Sequence, residues 1–159
     1  MTGQQFQLTM DAANPQALGA FWAYALGYIE EPAPEGFDSW EAALTAWGVP
    51  EEKWNDGYAI VDDSGSRPRI FFQRVPEPKT AKNRLHIDIE SGARDSANKQ
   101  SANGQSANAQ SNKKDWGILR STAASLVELG ASVQLEFNDP EDGEWIVMQD
   151  PEGNEFCVC

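Results

Sequence analysis

The sequence predicts an α+β fold made of two βαβββ modules, residues 5–75 and 84–159 of one 159-residue domain, whose strands form a curved mixed sheet. Three observations lead there. An alternating strand followed by an amphipathic helix opens each half, the same order of elements recurs in both, and two offsets superpose matching text. Shifting by 79 lays Gln7-Leu8-Thr9-Met10 over His86-Ile87-Asp88-Ile89. Shifting by 86 lays Gly57, Ile60 and Val61 over Gly143, Ile146 and Val147. Both matches fall within one shared element order, the mark of an internal repeat.

In the first half, Phe6, Leu8 and Met10 face one way and Gln7 and Thr9 the other, a half-buried strand. The helix that follows is punctuated at both ends. Asn14 suits its cap, Pro15 its first position and Gly27 a left-handed exit. Leu18, Phe21, Trp22, Ala25 and Leu26 make one apolar stripe. Tyr58–Val61 and Arg69–Val75 read as strands around the turn Asp62-Asp63-Ser64-Gly65.

In the second half, Arg84–Glu90 alternates, with Leu85, Ile87 and Ile89 on one face. A helix carrying Leu119, Ala123, Leu126 and Val127 ends at Leu129-Gly130. Strands Val133–Phe137, Trp145–Gln149 and Glu155–Val158 follow, the last two joined by Asp150-Pro151-Glu152-Gly153-Asn154. Three segments break the symmetry. A helical insertion at 37–55 places Trp40, Leu44 and Trp47 at i, i+4 and i+7 and restarts at Pro50. A basic linker runs from Pro76 to Asn83. The loop 91–114 repeats Ser-Ala-Asn three times, a low-complexity composition that buries too little surface to offset its ordering entropy and reads as mobile.

Composition narrows the function. A formal charge of −13 repels phosphate backbones and anionic lipid, which argues against nucleic-acid and membrane partners. No apolar run has the length of a membrane helix, and the N-terminal text lacks the basic and apolar regions of a signal peptide. Cys157 and Cys159, one residue apart, suit neither a loop staple nor the C-x-x-C spacing. A reduced, cytoplasmic protein is expected.

If each helix covers one sheet face, the polar residues left on the other are Gln7, Thr9, His86, Asp88, Gln134 and Glu136. Two sheets curling together would make them the floor of a cup, with Trp40, Trp47 and Trp54 as a wall, a lid or simply core anchors. His86 is the only histidine, so any role needing an imidazole falls on it.

The order βαβββ twice, the helix text Asn14-Pro15 through Phe21-Trp22 to Leu26-Gly27-Tyr28, and the closing Asp150-Pro151-Glu152-Gly153-Asn154 resemble the vicinal oxygen chelate superfamily, with its glyoxalase/bleomycin-resistance fold. The text Gly36-Phe37-Asp38-Ser39-Trp40, Phe71 to Lys79 and Lys82 to Asp88 resembles its glyoxalase-like actinobacterial branch. The resemblance implies a divalent metal held by the first and last strands of each half. Carried over, the first-strand positions are Gln7 and His86, and the closing position of the second half is Cys157 where a Glu is usual. The first-half counterpart is Phe71 or Gln73, depending on alignment. Such a set lacks the carboxylate charge that hard ions prefer, and a Cys157 thiolate with His86 gives zinc only two strong ligands.

The expectation is therefore a protein that binds a small, partly apolar metabolite or drug without a standard metal site. The binding candidates are Gln7, Thr9, Trp40, Trp47, Trp54, Gln73, His86, Asp88 and Cys157. The alternative is a metal-dependent lyase, isomerase or dioxygenase using Gln7, His86 and Cys157 as ligands. A third reading is a structural subunit whose cup is closed by its tryptophans. A homodimer fits all three.

Overall fold

A computed structural model describes residues 5–93, 114–139 and 143–159. The loop expected at 91–114 lies almost wholly outside the described residues. Contacts divide the chain into two compact units, Met1–Pro78 and Lys79–Cys159.

The first unit is a four-stranded mixed sheet in the order β1-β4-β3-β2. Its strands are β1 (Leu8–Ala12), β2 (Ile29–Glu30), β3 (Gly57–Val61) and β4 (Ile70–Arg74). β1 runs parallel to β4, and the other pairs are antiparallel. Helix α1 (Pro15–Leu26) starts as the sequence indicates: the Asn14 side chain accepts a hydrogen bond from the Ala17 amide at 3.3 Å. It ends at Gly27, whose φ of 63° needs a residue without Cβ. Leu18, Phe21 and Trp22 are buried, as are Ile60, Ile70 and Phe72 of the sheet. Each such burial contributes roughly 1.5–3 kcal/mol. Gly19 permits the close approach, since a Cβ there would stand 2.2 Å from Cδ1 of Tyr58.

Two differences from expectation concern the edges of this sheet. Phe6 precedes β1 and is exposed, so the inward set is Leu8, Met10 and Ala12. β2 was not legible in the sequence, because it is two residues long and Pro32 and Pro34 stop it. The insertion holds α2 (Trp40–Ala46) and a 3-10 helix (Glu51–Asp56). It is tied back to α1: Asn55 donates to Asn14 Oδ1 at 2.8 Å and accepts from the Gln16 amide at 2.9 Å.

The second unit repeats the plan with sheet order β5-β8-β7-β6. The strands are β5 (Asp88–Ile89), β6 (Ser132–Asp139), β7 (Gly143–Gln149) and β8 (Glu155–Val158), and helix α3 spans Trp116–Glu128. Leu119, Ala123 and Leu126 are buried with Ile146, Met148, Phe156 and Val158. Val127, expected in the stripe, is exposed. Buried Glu144 fixes the helix start by accepting from Trp116 Nε1 at 2.9 Å and from the Lys114 amide. The closing turn is organised by buried Asp150, which accepts from the Glu152 and Asn154 amides, each at 2.9 Å.

The strand expected over Arg84–Glu90 is ordered into the sheet only at Asp88–Ile89, and Leu85 is exposed. Side-chain contacts hold the preceding segment instead. Glu155 accepts from Lys79 Nζ and from the Asn83 amide, both at 3.0 Å. A second correction concerns β6. A bulge between Val133 and Leu135 shifts its register, and Glu136 lies opposite the helix-side residue Ile146. There it pairs with Arg120 of α3 at 2.7 Å. Leu135 and Phe137, opposite Val147 and Trp145, therefore occupy the face that had been assigned to Gln134 and Glu136. Gln134 sits at the bulge and donates to Ser132 Oγ at 2.9 Å.

Candidate functional site

In the first unit the sheet face away from α1 is set by register. Thr9 lies opposite Phe71, Asp11 opposite Gln73, and Phe71 opposite Ala59. Arg69, just before β4, organises this surface. Its Nε and Nη2 donate to the two oxygens of Glu31 at 2.7 and 2.6 Å, and Nη1 donates to Gln7 Oε1 at 2.9 Å. The guanidinium also lies 5.3 Å from the centroid of the Phe71 ring. Gln7 in turn reaches Thr9 Oγ1 at 3.5 Å, and Gln73 donates to Asp11 at 2.8 Å. Gln7 and Gln73 are thus present but already engaged.

Beside this face, at the edge of β3, lies a cavity of about 430 Å³. It exists because β2 pairs with β3 only at Ile60 and Val61, which leaves Gly57 and Tyr58 for the helical insertion to flank. Trp40, Leu44, Trp54 and Phe71 supply apolar walls. Both indoles are pinned by backbone carbonyls: Trp40 Nε1 donates to Glu31 O at 2.6 Å and Trp54 Nε1 to Val49 O at 2.9 Å. Trp47, the third expected wall, does not line it. It is exposed and packs edge-on against Phe37 and Trp40. Tyr58 is pushed up to about 12, first by burial and then by the charge of Glu30, to which it is hydrogen bonded.

The second unit has its own hollow of about 450 Å³, lined in part by His86, Asp88, Trp145, Val147 and Cys157. Asp88 lies opposite Cys157 in the β5–β8 pair and hydrogen bonds it, instead of orienting His86. The Cys157 thiol is pushed up to about 11 by burial and then by the Asp88 charge, so it stays protonated at neutral pH. His86 is exposed, and Lys82 Nζ stands 2.6 Å from its Nε2. An ammonium can only donate, so Nε2 accepts, and its 3.3 Å approach to Asn83 O is not a second hydrogen bond.

The register also settles which first-half residue matches Cys157. Thr9 faces Phe71 as Asp88 faces Cys157, so the counterpart is Phe71 and not Gln73. A divalent ion at the positions implied by resemblance would need the lone pairs of Gln7 Oε1 and His86 Nε2. Gln7 Oε1 already spends one of its two lone pairs on Arg69, and the single lone pair of His86 Nε2 is taken by Lys82. The closing positions hold a phenyl ring and a protonated thiol. Among the described residues no group of three or more His, Cys, Asp or Glu side chains is placed to hold an ion. The residues present do not fit the standard metal set.

The glyoxalase-like domain model matches residues 7–159. The chain belongs to that family. Among solved structures, the glyoxalase-like domain is similar to a possible glyoxalase from Bacillus cereus, with 11% identity and a TM-score of 0.54 over 99% of this chain and 98% of the other. It is also similar to the fosfomycin resistance protein FosX from Listeria monocytogenes, in a mutant form complexed with Mn(II) and 1S,2S-dihydroxypropylphosphonic acid. There the identity is 11% and the TM-score 0.57, over 99% and 92% of the two chains. FosX from Mesorhizobium loti gives 9% identity and 0.53 over 99% and 91%. These likenesses establish the fold of the glyoxalase-like domain. No curated protein matches it in sequence.

Sequence reasoning missed Arg69, Glu31, Glu30 and Asp11. The signal available was the repeat: an offset of 86 lays Arg69 over Glu155, two charged residues flanking the same strand position in a sheet otherwise apolar at its centre.

Proposed function

We propose that this glyoxalase-like domain binds a small, partly apolar metabolite or drug and does so without a standard metal site. The observation that carries the reading is the cavity of about 430 Å³ walled by two tryptophans whose N–H groups are already tied to backbone. Such a volume lies in the range of small-molecule pockets, and pinned rings need little ordering when a ligand enters. The cations held against Gln7 and His86 support the second part, since a divalent ion there would meet like charge at short range. In this reading residues 1–159 act as one cytoplasmic domain of the actinobacterial type. No described helix is long and apolar enough to cross a membrane.

The competing reading, a metal-dependent lyase, isomerase or dioxygenase, draws on the FosX neighbour whose structure carries Mn(II). Two measurements separate them. Thermal shift against a library of metabolites and drugs, using protein freed of metal by a chelator, is expected to return stabilising ligands. Elemental analysis of protein purified without chelator is expected to show sub-stoichiometric metal. A stoichiometric ion that His86→Ala removes, with no ligand bound in its absence, would overturn the proposal. Light scattering on the same samples tests the homodimer.

A further inference from the structure

The charge around the first unit's cavity goes further than its shape. Four carboxylates line it, Glu30, Glu31, Glu41 and Glu51, against two basic groups, Lys53 and Arg69. Arg69 is spent: Glu31 takes two of its N–H groups and Gln7 a third. Lys53 is exposed and has no ion pair among the described residues. Glu41 is held ionised by its own backbone amide and by Ser39 at the start of α2. Glu30 accepts from Tyr58 and has no cationic partner among the described residues. The indoles of Trp40 and Trp54 offer ring surface and no donors, because their N–H groups point to Glu31 O and Val49 O.

A carboxylate without a counter-ion beside aromatic walls attracts one class of ligand. We infer that this cavity takes an organic cation, a protonated amine or quaternary ammonium carrying an aromatic or branched apolar group. The apolar part packs among Trp40, Leu44, Trp54 and Phe71, and the cationic head meets Glu30, with Glu41 and Glu51 adding to the field. Indole faces favour cations, and a charge-assisted hydrogen bond to Glu30 adds to that attraction. The net charge of −13 draws the same class of ligand toward the protein and repels carboxylates and phosphates. The inference rests on the small-molecule reading above and adds the place and the charge class.

The experiment is calorimetric titration with matched triads. Tryptamine is compared with 3-ethylindole and indole-3-propionate, and phenethylamine with ethylbenzene derivatives of the same size bearing a hydroxyl or a carboxylate. The amines are expected to bind at least about tenfold tighter than their neutral partners, the effect of one charge-assisted hydrogen bond, and the carboxylates least. Glu30→Gln keeps an acceptor for Tyr58 and is expected to lower amine affinity about tenfold while leaving the neutral compounds unchanged. Leu44→Trp fills the cavity and is expected to abolish binding of all three. Neutral or anionic partners binding as well as the amines would overturn the charge assignment, as would a silent Glu30→Gln. Binding that survives Leu44→Trp would overturn the location. Each of these leaves library hits standing, so only a library without any hit removes the small-molecule reading itself.

Discussion

The two units share a skeleton and differ on one face. At positions 86 apart, Ile60, Ile70 and Phe72 correspond to Ile146, Phe156 and Val158, all of them buried. On the opposite face the same offset pairs Arg69 with Glu155, Phe71 with Cys157 and Gln73 with Cys159. Helix-side positions are held apolar by close packing, where a change of one methylene is felt. The open face carries no such constraint and has even inverted its charge. Each inversion is answered within its own unit, Arg69 by Glu31 and Gln7, Glu155 by Lys79 and the Asn83 amide. The repeat thus keeps the face that packs and varies the face that does not.

Four measurements break or sharpen that contrast. The largest effect is on Cys157, the thiol that stands where the first unit has Phe71. In a Cys159→Ser background its alkylation at pH 8 is expected to run about a hundredfold slower than that of a free cysteine, because a thiol titrating near 11 holds little thiolate. An ordinary rate would show that the second unit exposes a reactive group. Next are the hairpin turns. Asp62 and Asp150 each directly follow the first strand of their hairpin, but Asp150 is buried and serves two backbone amides and the Asn154 side chain. Asp150→Ala is expected to cost about 3 kcal/mol in urea unfolding, from backbone donors left without an acceptor. Asp62→Ala, whose acceptor serves Ser64, Ser66 and Arg67, is expected to cost less in the same urea unfolding. Equal losses would mean the two turns have not diverged.

Gly19→Ala ranks third. It drives a methyl into Tyr58 and is expected to cost about 2 kcal/mol and to disturb the cavity beside that ring. Glu155 gives the smallest effect and a defined pH window. Its carboxyl is held down at about 2, first by the Asn83 amide and then by Lys79. A depressed carboxyl stabilises the fold fully above its unfolded value of about 4.3, and that contribution drains away as pH falls toward 2. Glu155→Gln should therefore flatten the acid limb of stability between those limits, with little change in slope at pH 7. An unchanged acid limb would detach Glu155 from the segment Lys79–Asn83.

Much of the fold was legible because it follows from short-range pattern. Asn14, Pro15 and Gly27 bound α1 within the chain's own text, and Glu155–Val158 was read with its observed limits. The errors share one cause. Leu85, Val127 and Glu136 were placed by periodicity, but their final environments depend on partners elsewhere. A bulge at Val133 to Leu135 reverses the facing of the next residues, and no local signal marks it. The candidate site was half legible. Trp40, Trp54, His86, Asp88 and Cys157 line the two hollows, whereas Gln7, Thr9, Trp47 and Gln73 do not.

By itself the sequence determined two duplicated α+β halves, their helices and their buried faces, because periodicity and capping act between neighbours a few residues apart. Tertiary structure alone decided that Arg69 would reach Gln7 across 62 positions, and that Lys82 and Asp88 would turn to His86 and Cys157. Strand pairing and loop path set those meetings, and charge at short range makes them matter: a guanidinium 2.9 Å from the Gln7 amide oxygen repels a second cation at that oxygen.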